Sequence, residues 1–318
     1  MAESRAALLP TIPRRGGADA ALLPALARAS AAVARLDQAI AGPHPLLPAL
    51  LHRSRLEAVR RQAAVDGQLI DLWHLAALLE GLRPRRLDGA RSIAEAGGVF
   101  EAGRTALAHH AWLTAPDFDS EGEIRAALVA RQAHRAHGVP LLDAAEAAWH
   151  WLDGGGTRPP LRAALVRTWT ATRLLAAPLP LTGAAALRAD VAWDPETWVP
   201  SFLLALAEEA EATLDLLRDL ERGWIAARGA IGVRRRHSRA PAAVDLLAAA
   251  PLLSATTLAR ALDLSVKSAL ALLEDLRRRD VVVEVTGRSA RRLFGLRDLA
   301  PLAAAVAPPR RPEPGRGR

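Results

Sequence analysis

The sequence predicts a mainly α fold, and three observations support this prediction. Hydrophobic residues make up 51% of the 318 residues, whereas aromatic residues make up 4%, and Tyr and Cys are absent. The core must therefore be built from Ala, Leu and Val, a composition that favours helices over sheets. Apolar residues also recur at spacings of three and four along most of the chain, as they do on one face of an amphipathic helix.

The first two thirds of the chain contain one predicted helix after another. Asp71 is a fair N-cap for the third helix, and Gly81 is a fair stop for it. Ser120 and Glu123 have the S-x-x-E spacing of a capping box, which predicts a helix start at this point. The helices are predicted at residues 22–40, 46–67, 69–83, 91–113, 117–138, 141–156, 161–176 and 195–231.

The segment "GVRRRHSRAP" is the best candidate for a boundary between two domains. It contains a Gly, four Arg and a Pro, and the apolar periodicity lapses there. The predicted organisation is a flexible leader at residues 1–24, a helical domain at 25–233, a basic hinge at 234–241, a second domain at 242–302, and a disordered basic tail at 303–318.

The second domain shows an order of elements that identifies its type. Three helices are predicted at residues 242–254, 256–262 and 266–280, and "DLS" forms the turn between the second and the third. Ser265 can cap the third helix. Two strands of β-branched and apolar residues follow at 281–286 and 292–296. This pattern is typical of a winged helix-turn-helix with a small β-hairpin as its wing.

The net positive charge of the chain lies in its C-terminal quarter. Residues 234–318 hold 17 basic and 8 acidic residues, whereas residues 1–233 hold 25 and 26. A basic segment on a neutral body points to a polyanion partner, most often nucleic acid. Because only Lys267 is a lysine and the other 41 basic residues are Arg, a compositional bias of the genome is an alternative explanation.

The third helix of this domain provides the predicted DNA contacts. Lys267 and Ser268 are expected to enter the major groove near the cap residue Ser265, because direct readout uses polar side chains. The positive groups of the wing and the helix end are expected to bind phosphates, which position a protein without specifying sequence. These phosphate-binding residues are Arg277, Arg288, Arg291 and Arg292.

The remaining side chains of the third helix favour packing over base recognition. By their spacing, Ala269, Leu272, Leu273 and Leu276 form a stripe that is expected to pack on the first two helices. The opposite side carries Val266, Leu270, Ala271 and Glu274, which form a poor surface for reading bases. The favoured function is binding of double-stranded DNA as a homodimeric transcriptional regulator. The alternative is a protein-interaction module that uses the exposed apolar residues.

The two-part layout resembles an uncharacterised family of bacterial, often plasmid-encoded, proteins that join a helical domain of unknown function to a C-terminal helix-turn-helix domain. Three segments carry the resemblance, which extends from about Leu26 to Leu302. They are residues 53–83 ("RSRLEAVRRQAAVDGQLIDLWHLAALLEGLR"), 177–207 ("APLPLTGAAALRADVAWDPETWVPSFLLALA") and 245–276 ("DLLAAAPLLSATTLARALDLSVKSALALLEDL"). The resemblance implies the domain layout but no reaction and no ligand.

More distantly, the order of parts looks like the Fic family, which transfers AMP from ATP to hydroxyl side chains. Ser54 and Glu57 match the spacing of an early helix in that family. The family's His-Pro-Phe-x-x-Gly-Asn-Gly-Arg loop is absent, and "PLPLTGAAALR" at its position offers only Gly183 and Arg188. The resemblance therefore implies a protein without the transferase chemistry, which makes an inactive Fic relative part of the alternative interpretation.

Other residue patterns lead us to expect neither an enzyme nor a metal or cofactor site. Zero Cys excludes disulfides, thiolate metal sites and cysteine nucleophiles, and it fits a cytoplasmic protein. His134 and His137 lie three apart on a helix but have no identifiable third ligand. Asp117 to Glu123 imitates the start of a calcium loop without the Glu at position twelve, so the capping interpretation is favoured. No apolar run is long enough to predict a membrane span.

Overall fold

Helices account for most of the described part of the chain. The computed structural model describes residues 18–82, 93–133, 137–232, 237–287 and 290–301. The prediction of a mainly α fold is confirmed. The helices are α1 (Ala18–Ile40), α2 (Leu47–Val65), α3 (Leu72–Leu79), α4 (Ile93–Thr114), α5 (Phe118–Ala133), α6 (Pro140–Asp153), α7 (Arg158–Ala171), a 3₁₀ helix (Ala184–Leu187), α8 (Pro195–Ile231), α9 (Ala240–Ala249), α10 (Ala255–Leu262) and α11 (Val266–Arg278).

Short polar side chains begin several of these helices. Asp71 accepts a hydrogen bond from the backbone N–H of His74 at 2.7 Å, which confirms it as the cap of α3. At the start of α5, Asp117 accepts the N–H of Ser120 at 2.8 Å. The predicted capping box of Ser120 and Glu123 is therefore wrong. The helix begins at Phe118, so that Ser120 lies inside it, because the Asp117 carboxylate binds the free N–H of Ser120.

The helix α8, with 37 residues, is the longest element of the described chain, and other helices pack along it. The helix α1 runs along α8, and α6 and α9 pack on it too. Near the start of α8, the stacked rings of Trp198 and Phe202 lie 5.0 Å apart and are fully buried. On the surface, Arg28 and Glu211 join α1 to α8 by an ion pair of 2.8 Å.

A small antiparallel sheet lies among the C-terminal helices. Its strands are β1 (Leu253–Ser254), β2 (Val282–Glu284) and β3 (Leu293–Leu296), in the spatial order β1-β3-β2. The two strands expected from the sequence are present, whereas β1 was not predicted because two residues show no alternation. The central strand needs Gly295, since a Cβ there would lie 2.7 Å from the carbonyl oxygen of Pro251.

One hydrophobic core runs from the first helices into this sheet. We call residues 18–232 the helical body and residues 237–301 the C-terminal unit. Buried side chains of both belong to the same contact cluster, among them Leu36, Trp169, Trp198, Leu273 and Phe294. Residues 234–236 of the expected hinge lie outside the described residues, and α9 begins within the rest of it. The predicted domain limits therefore stay a prediction.

Arg53 of α2 fastens the C-terminal unit to the helical body. Its side chain is 4% exposed, and its guanidinium donates to three backbone carbonyls. The donor–acceptor distances are 2.7 Å to Ala248, 3.4 Å to Leu247 and 3.1 Å to Leu299. The first two carbonyls end α9, where a helix leaves its last oxygens unpaired and favours positive charge. Burial lowers the pKa of Arg53 to about 10, so the group stays charged at neutral pH.

A carboxylate of the helical body also holds the start of α10. Glu80, just after α3, accepts the backbone N–H of Ser254 at 3.0 Å and the hydroxyl of Thr257 at 2.7 Å. Beside it, Trp73 packs in a cluster that includes Leu252 of the C-terminal unit. The start of α10 is thus held by a side chain more than 170 positions earlier in the chain.

Candidate nucleic-acid interface

Two short helices joined by a tight turn form the centre of the candidate interface. The helix α10 ends at Asp263, which has a positive φ in the left-handed region that Asp tolerates. Two residues later, Ser265 accepts the backbone N–H of Ser268 at 3.1 Å, which confirms it as the cap of α11. The hydroxyls of Ser265 and Ser268 are also 2.8 Å apart, so the two serine side chains that we expected to contact DNA are hydrogen-bonded to each other.

The two faces of α11 differ as the sequence predicts. On the inner face, Ala269, Leu273 and Leu276 are fully buried, whereas Leu272 is only half-buried. On the outer face, Lys267 and Ser268 are exposed. The exposed apolar side chains beside them are Val266, Leu270 and Ala271. This helix therefore presents few groups that could form hydrogen bonds with base edges.

Glu274 lies in the C-terminal half of α11 and binds two of the arginines that we expected to contact phosphates. Its carboxylate accepts hydrogen bonds from Arg277 at 2.7 Å and from Arg292 at 2.5 Å. The hydrogen bond from Arg277, followed by that from Arg292, holds the pKa of Glu274 below its usual range. Arg292 is further restrained because its guanidinium lies 5.0 Å from the ring centroid of Phe294.

The last two arginines of this helix end are engaged in the same manner. Asp275 accepts hydrogen bonds from Arg278 at 3.3 Å and from Arg279 at 3.0 Å. With Arg277, all three arginines here therefore have an acidic partner three or four residues earlier. Much of the positive charge that the sequence places here is neutralised within the protein.

In the described parts of α10, α11 and the connection between β2 and β3, three exposed cations keep their charge free. They are Arg260 on α10, Lys267 on α11 and Arg291 in the connection between β2 and β3. None of the three makes an ion pair within the described residues. Arg291 has a positive φ in the left-handed region, so the backbone turns sharply at this position. Arg288, another predicted contact, lies outside the described residues, as do Arg234, Arg235 and Arg236.

Arg260 is the one member of this set that the sequence reasoning missed. It stands in the last turn of α10, where a basic side chain is usually explained by the helix dipole. What distinguishes Arg260 from other basic residues is that it has no ion-pair partner in the described chain. This can be seen only in the folded structure and not in the sequence. We call Arg260, Lys267 and Arg291 the free-cation set.

The loop that occupies the position of the Fic catalytic loop binds a carboxylate of the protein itself and therefore leaves no site for an external anion. Glu209 of α8 is 5% exposed and accepts three backbone N–H groups just before the 3₁₀ helix. The donors are Thr182 at 2.5 Å, Gly183 at 3.0 Å and Ala184 at 2.9 Å. Gly183 has a positive φ, and a Cβ there would lie 2.3 Å from the ring of Phe202.

The other residues of that resemblance bind partners near them in the chain and not one another. Arg188 is bound to Asp190, two residues away. Glu57 accepts both of its hydrogen bonds from Arg60, at 2.8 and 2.9 Å, and the hydroxyl of Ser54 donates to a carbonyl of its own helix. Each group is therefore engaged locally.

No protein-family model matches this chain, and no curated protein matches its sequence. In the part of the chain that the structure describes, no three or more His, Asp or Glu side chains are grouped to hold a metal ion. His137 binds the carboxylate of Glu146 at 2.9 Å, whereas His134 lies outside that part. Among the helices just described, none is both long and apolar enough to cross a bilayer.

Proposed function

We propose that the C-terminal unit is a winged helix-turn-helix that binds double-stranded DNA, and that the protein regulates transcription in the cytoplasm. The order helix, strand, helix, helix and two strands supports this, together with the β1-β3-β2 sheet. In this class of domain, the second helix of the helix-turn-helix enters the major groove. That helix is α11 in this chain.

The free-cation set is the observation that carries the proposal. Its members come from α10, from the N-terminal half of α11 and from the connection between β2 and β3, the three parts of such a domain that face DNA. Arg260 and Arg291 would bind backbone phosphates, and Lys267 would reach a base edge or a phosphate beside Ser268. The predicted contacts Arg277 and Arg292 would contribute less, because Glu274 already binds both.

The binding we propose depends mainly on phosphate contacts. Lys267 and Ser268 are the only polar side chains in the first turn of α11, while Val266, Leu270 and Ala271 could make only apolar contacts, for instance with a thymine methyl group. If the protein acts as the homodimer expected from the sequence, its half-sites would lie about 34 Å apart or at multiples of that distance.

Fluorescence anisotropy tests the proposal. The full chain is titrated into labelled duplexes, one from upstream of its own gene and one of scrambled sequence, at about 50 and about 200 mM salt. We expect binding to both, with a preference for the upstream duplex that persists at the higher salt. The absence of binding to either duplex at the lower salt would refute the proposal.

A second candidate function is protein binding through the same face. Val266 and Leu270 are both exposed and lie one turn apart on the same helix, so they form a small contiguous apolar patch that could contact a protein. Replacing Leu270 with Asp separates the two functions. Loss of self-association or partner binding in a protein that never bound DNA would favour this second candidate.

A further inference from the structure

A cavity of about 680 Å³ lies in the helical body, between the end of α2, the 3₁₀ helix and α8. Its volume falls in the range of about 300 to about 1,000 Å³ that small-molecule sites occupy. Small apolar side chains line most of its wall, so an occupant would meet an apolar surface with room for its own side chains. They are Ala64, Val65, Ala184, Ala185, Ala189, Ala205 and Ala212.

The charged groups of this cavity fall into two classes. Arg188 and Asp190 bind each other, and the buried Glu209 is satisfied by its three backbone N–H donors. Arg61, which is half-buried, and Glu208, which is exposed, have neither a hydrogen bond nor an ion pair within the described residues. The Glu208 carboxylate does attract the guanidinium of Arg28 on α1, without a hydrogen bond between them. The cavity therefore offers one unpaired positive and one unpaired negative group beside an apolar wall.

The neighbouring cavities lack this combination. One of about 650 Å³ lies on the other side of Arg188, and there Asp66 binds both Arg158 at 2.7 Å and His109 at 3.2 Å. A third of about 490 Å³ borders Arg61 from the side, and its other charged residues, including Glu57, already have partners. The unpaired groups of opposite sign thus belong to the first cavity.

We propose that this cavity binds a small zwitterion with an apolar body, the chemical class of apolar amino acids and dipeptides. The planar guanidinium of Arg61 would hold the carboxylate with two parallel hydrogen bonds. The Glu208 carboxylate would bind the ammonium group, and the alanine wall would pack on the apolar body. This inference is independent of DNA binding.

A phosphate-bearing ligand fits the cavity less well. The backbone N–H groups at residues 182–184, which could otherwise bind an anion, already donate hydrogen bonds to Glu209. Glu208 would also repel a ligand that carries only negative charge. A carboxylate accompanied by an ammonium group avoids both conflicts.

Isothermal titration of the full chain with leucine and with leucyl-leucine tests the proposal. N-acetyl-leucyl-leucine, which lacks the ammonium, and leucyl-leucine amide, which lacks the carboxylate, are the matched probes. We expect saturable binding of at least one zwitterion and at least about tenfold weaker binding of each blocked probe, since each loses a charge-assisted hydrogen bond.

Two variants and two controls complete the experiment. Arg61→Met and Glu208→Gln should each weaken zwitterion binding by about tenfold. Arg218→Met and Glu123→Gln change exposed residues outside the cavity and should leave it unaltered. Circular dichroism establishes that each variant is folded. No binding of either zwitterion up to about 10 mM, or equal affinity in the wild type and in both cavity variants, would overturn the proposal.

Discussion

The helical body buries some of its arginines, whereas the C-terminal unit keeps those that the structure describes at least partly exposed. In the body, Arg53 and Arg162 are almost fully buried, and both donate to backbone carbonyls. Burial lowers the pKa of each to about 10. In the C-terminal unit, the described arginines of α10, of α11 and of the connection between β2 and β3 are at least partly exposed, and some pair with carboxylates while others stay free. Buried arginine thus holds the fold together in the helical body, whereas in the C-terminal unit arginine presents its charge to solvent.

The two ends of α11 repeat this contrast on a smaller scale. At its N-terminal end, Lys267 has no acidic partner among the described residues, whereas at its C-terminal end Arg277, Arg278 and Arg279 all have one. A count of basic residues therefore overstates the charge that is available for phosphates. What matters for binding is the positive charge that the protein does not neutralise itself.

Loss of the buried arginine should have the largest effect. We expect Arg53→Met to lower the free energy of unfolding by about 2–4 kcal/mol, because the carbonyls of Ala248 and Leu299 lose a charged donor where water is excluded. Urea denaturation followed by circular dichroism measures this. The control is Arg104→Met, a change at an exposed residue of α4 that should stay within about 0.5 kcal/mol of the wild type. Equal stability of the two variants would show that Arg53 does not fasten the two regions.

The helical body should also lose stability as the pH falls. Burial, with smaller contributions from His110 and Arg53, lowers the pKa of His52 to about 4 from its ordinary value of 6.5. Because the folded pKa is the lower one, the unfolded chain takes up the proton first, and stability falls as the pH drops from about 6.5 towards 4. The loss due to this group is at most about 3 kcal/mol.

Urea denaturation at several pH values, repeated with His52→Gln, isolates this contribution from that of the carboxylates. The variant should show a shallower decline of stability over the same pH range. Parallel curves for the two proteins would mean that His52 does not resist protonation in the folded state.

Removal of free charges should weaken DNA binding more than removal of paired ones. We expect Lys267→Ala and Arg291→Ala each to lower affinity by about tenfold and to reduce the salt slope by about one. Arg277→Ala should change affinity by less than about threefold, since Glu274 already binds this side chain. Anisotropy titrations over a range of salt concentrations measure both quantities. A larger loss for Arg277→Ala than for Lys267→Ala would contradict the distinction between the two ends of α11.

The smallest expected effect is an increase in DNA affinity. Glu274→Gln removes the carboxylate that binds Arg277 and Arg292, and both cations then become available to phosphates. We expect DNA affinity to rise by about two- to fivefold at low salt, with little change at high salt. Asp219→Asn, at an exposed residue of α8, is the matched control and should leave affinity unchanged. An affinity that falls in Glu274→Gln would mean that this carboxylate positions Arg292 for binding.

Part of the site could be predicted because it depends on interactions between residues close together in the sequence. The cap at Ser265 and the inner stripe of α11 follow from residue type and helical spacing. The pairing of Glu274 with Arg277 and of Asp275 with Arg278 could also have been inferred, since three-residue spacing brings such side chains together. The pairing of Glu274 with Arg292 could not, because the two residues are 18 positions apart and meet only when the sheet packs beside α11.

The sequence by itself determined the mainly α fold, the order of the α-helices and the caps at Asp71 and Ser265, because these depend on residues within one or two turns of each other. Only the tertiary structure decided which charges remain free, that Arg53 binds the end of α9 and that Glu209 fills the loop before the 3₁₀ helix. These contacts join residues from 18 to 246 positions apart. Periodicity does not encode such contacts, since they depend on where packing places each side chain and on the high free energy of a buried polar group without a partner.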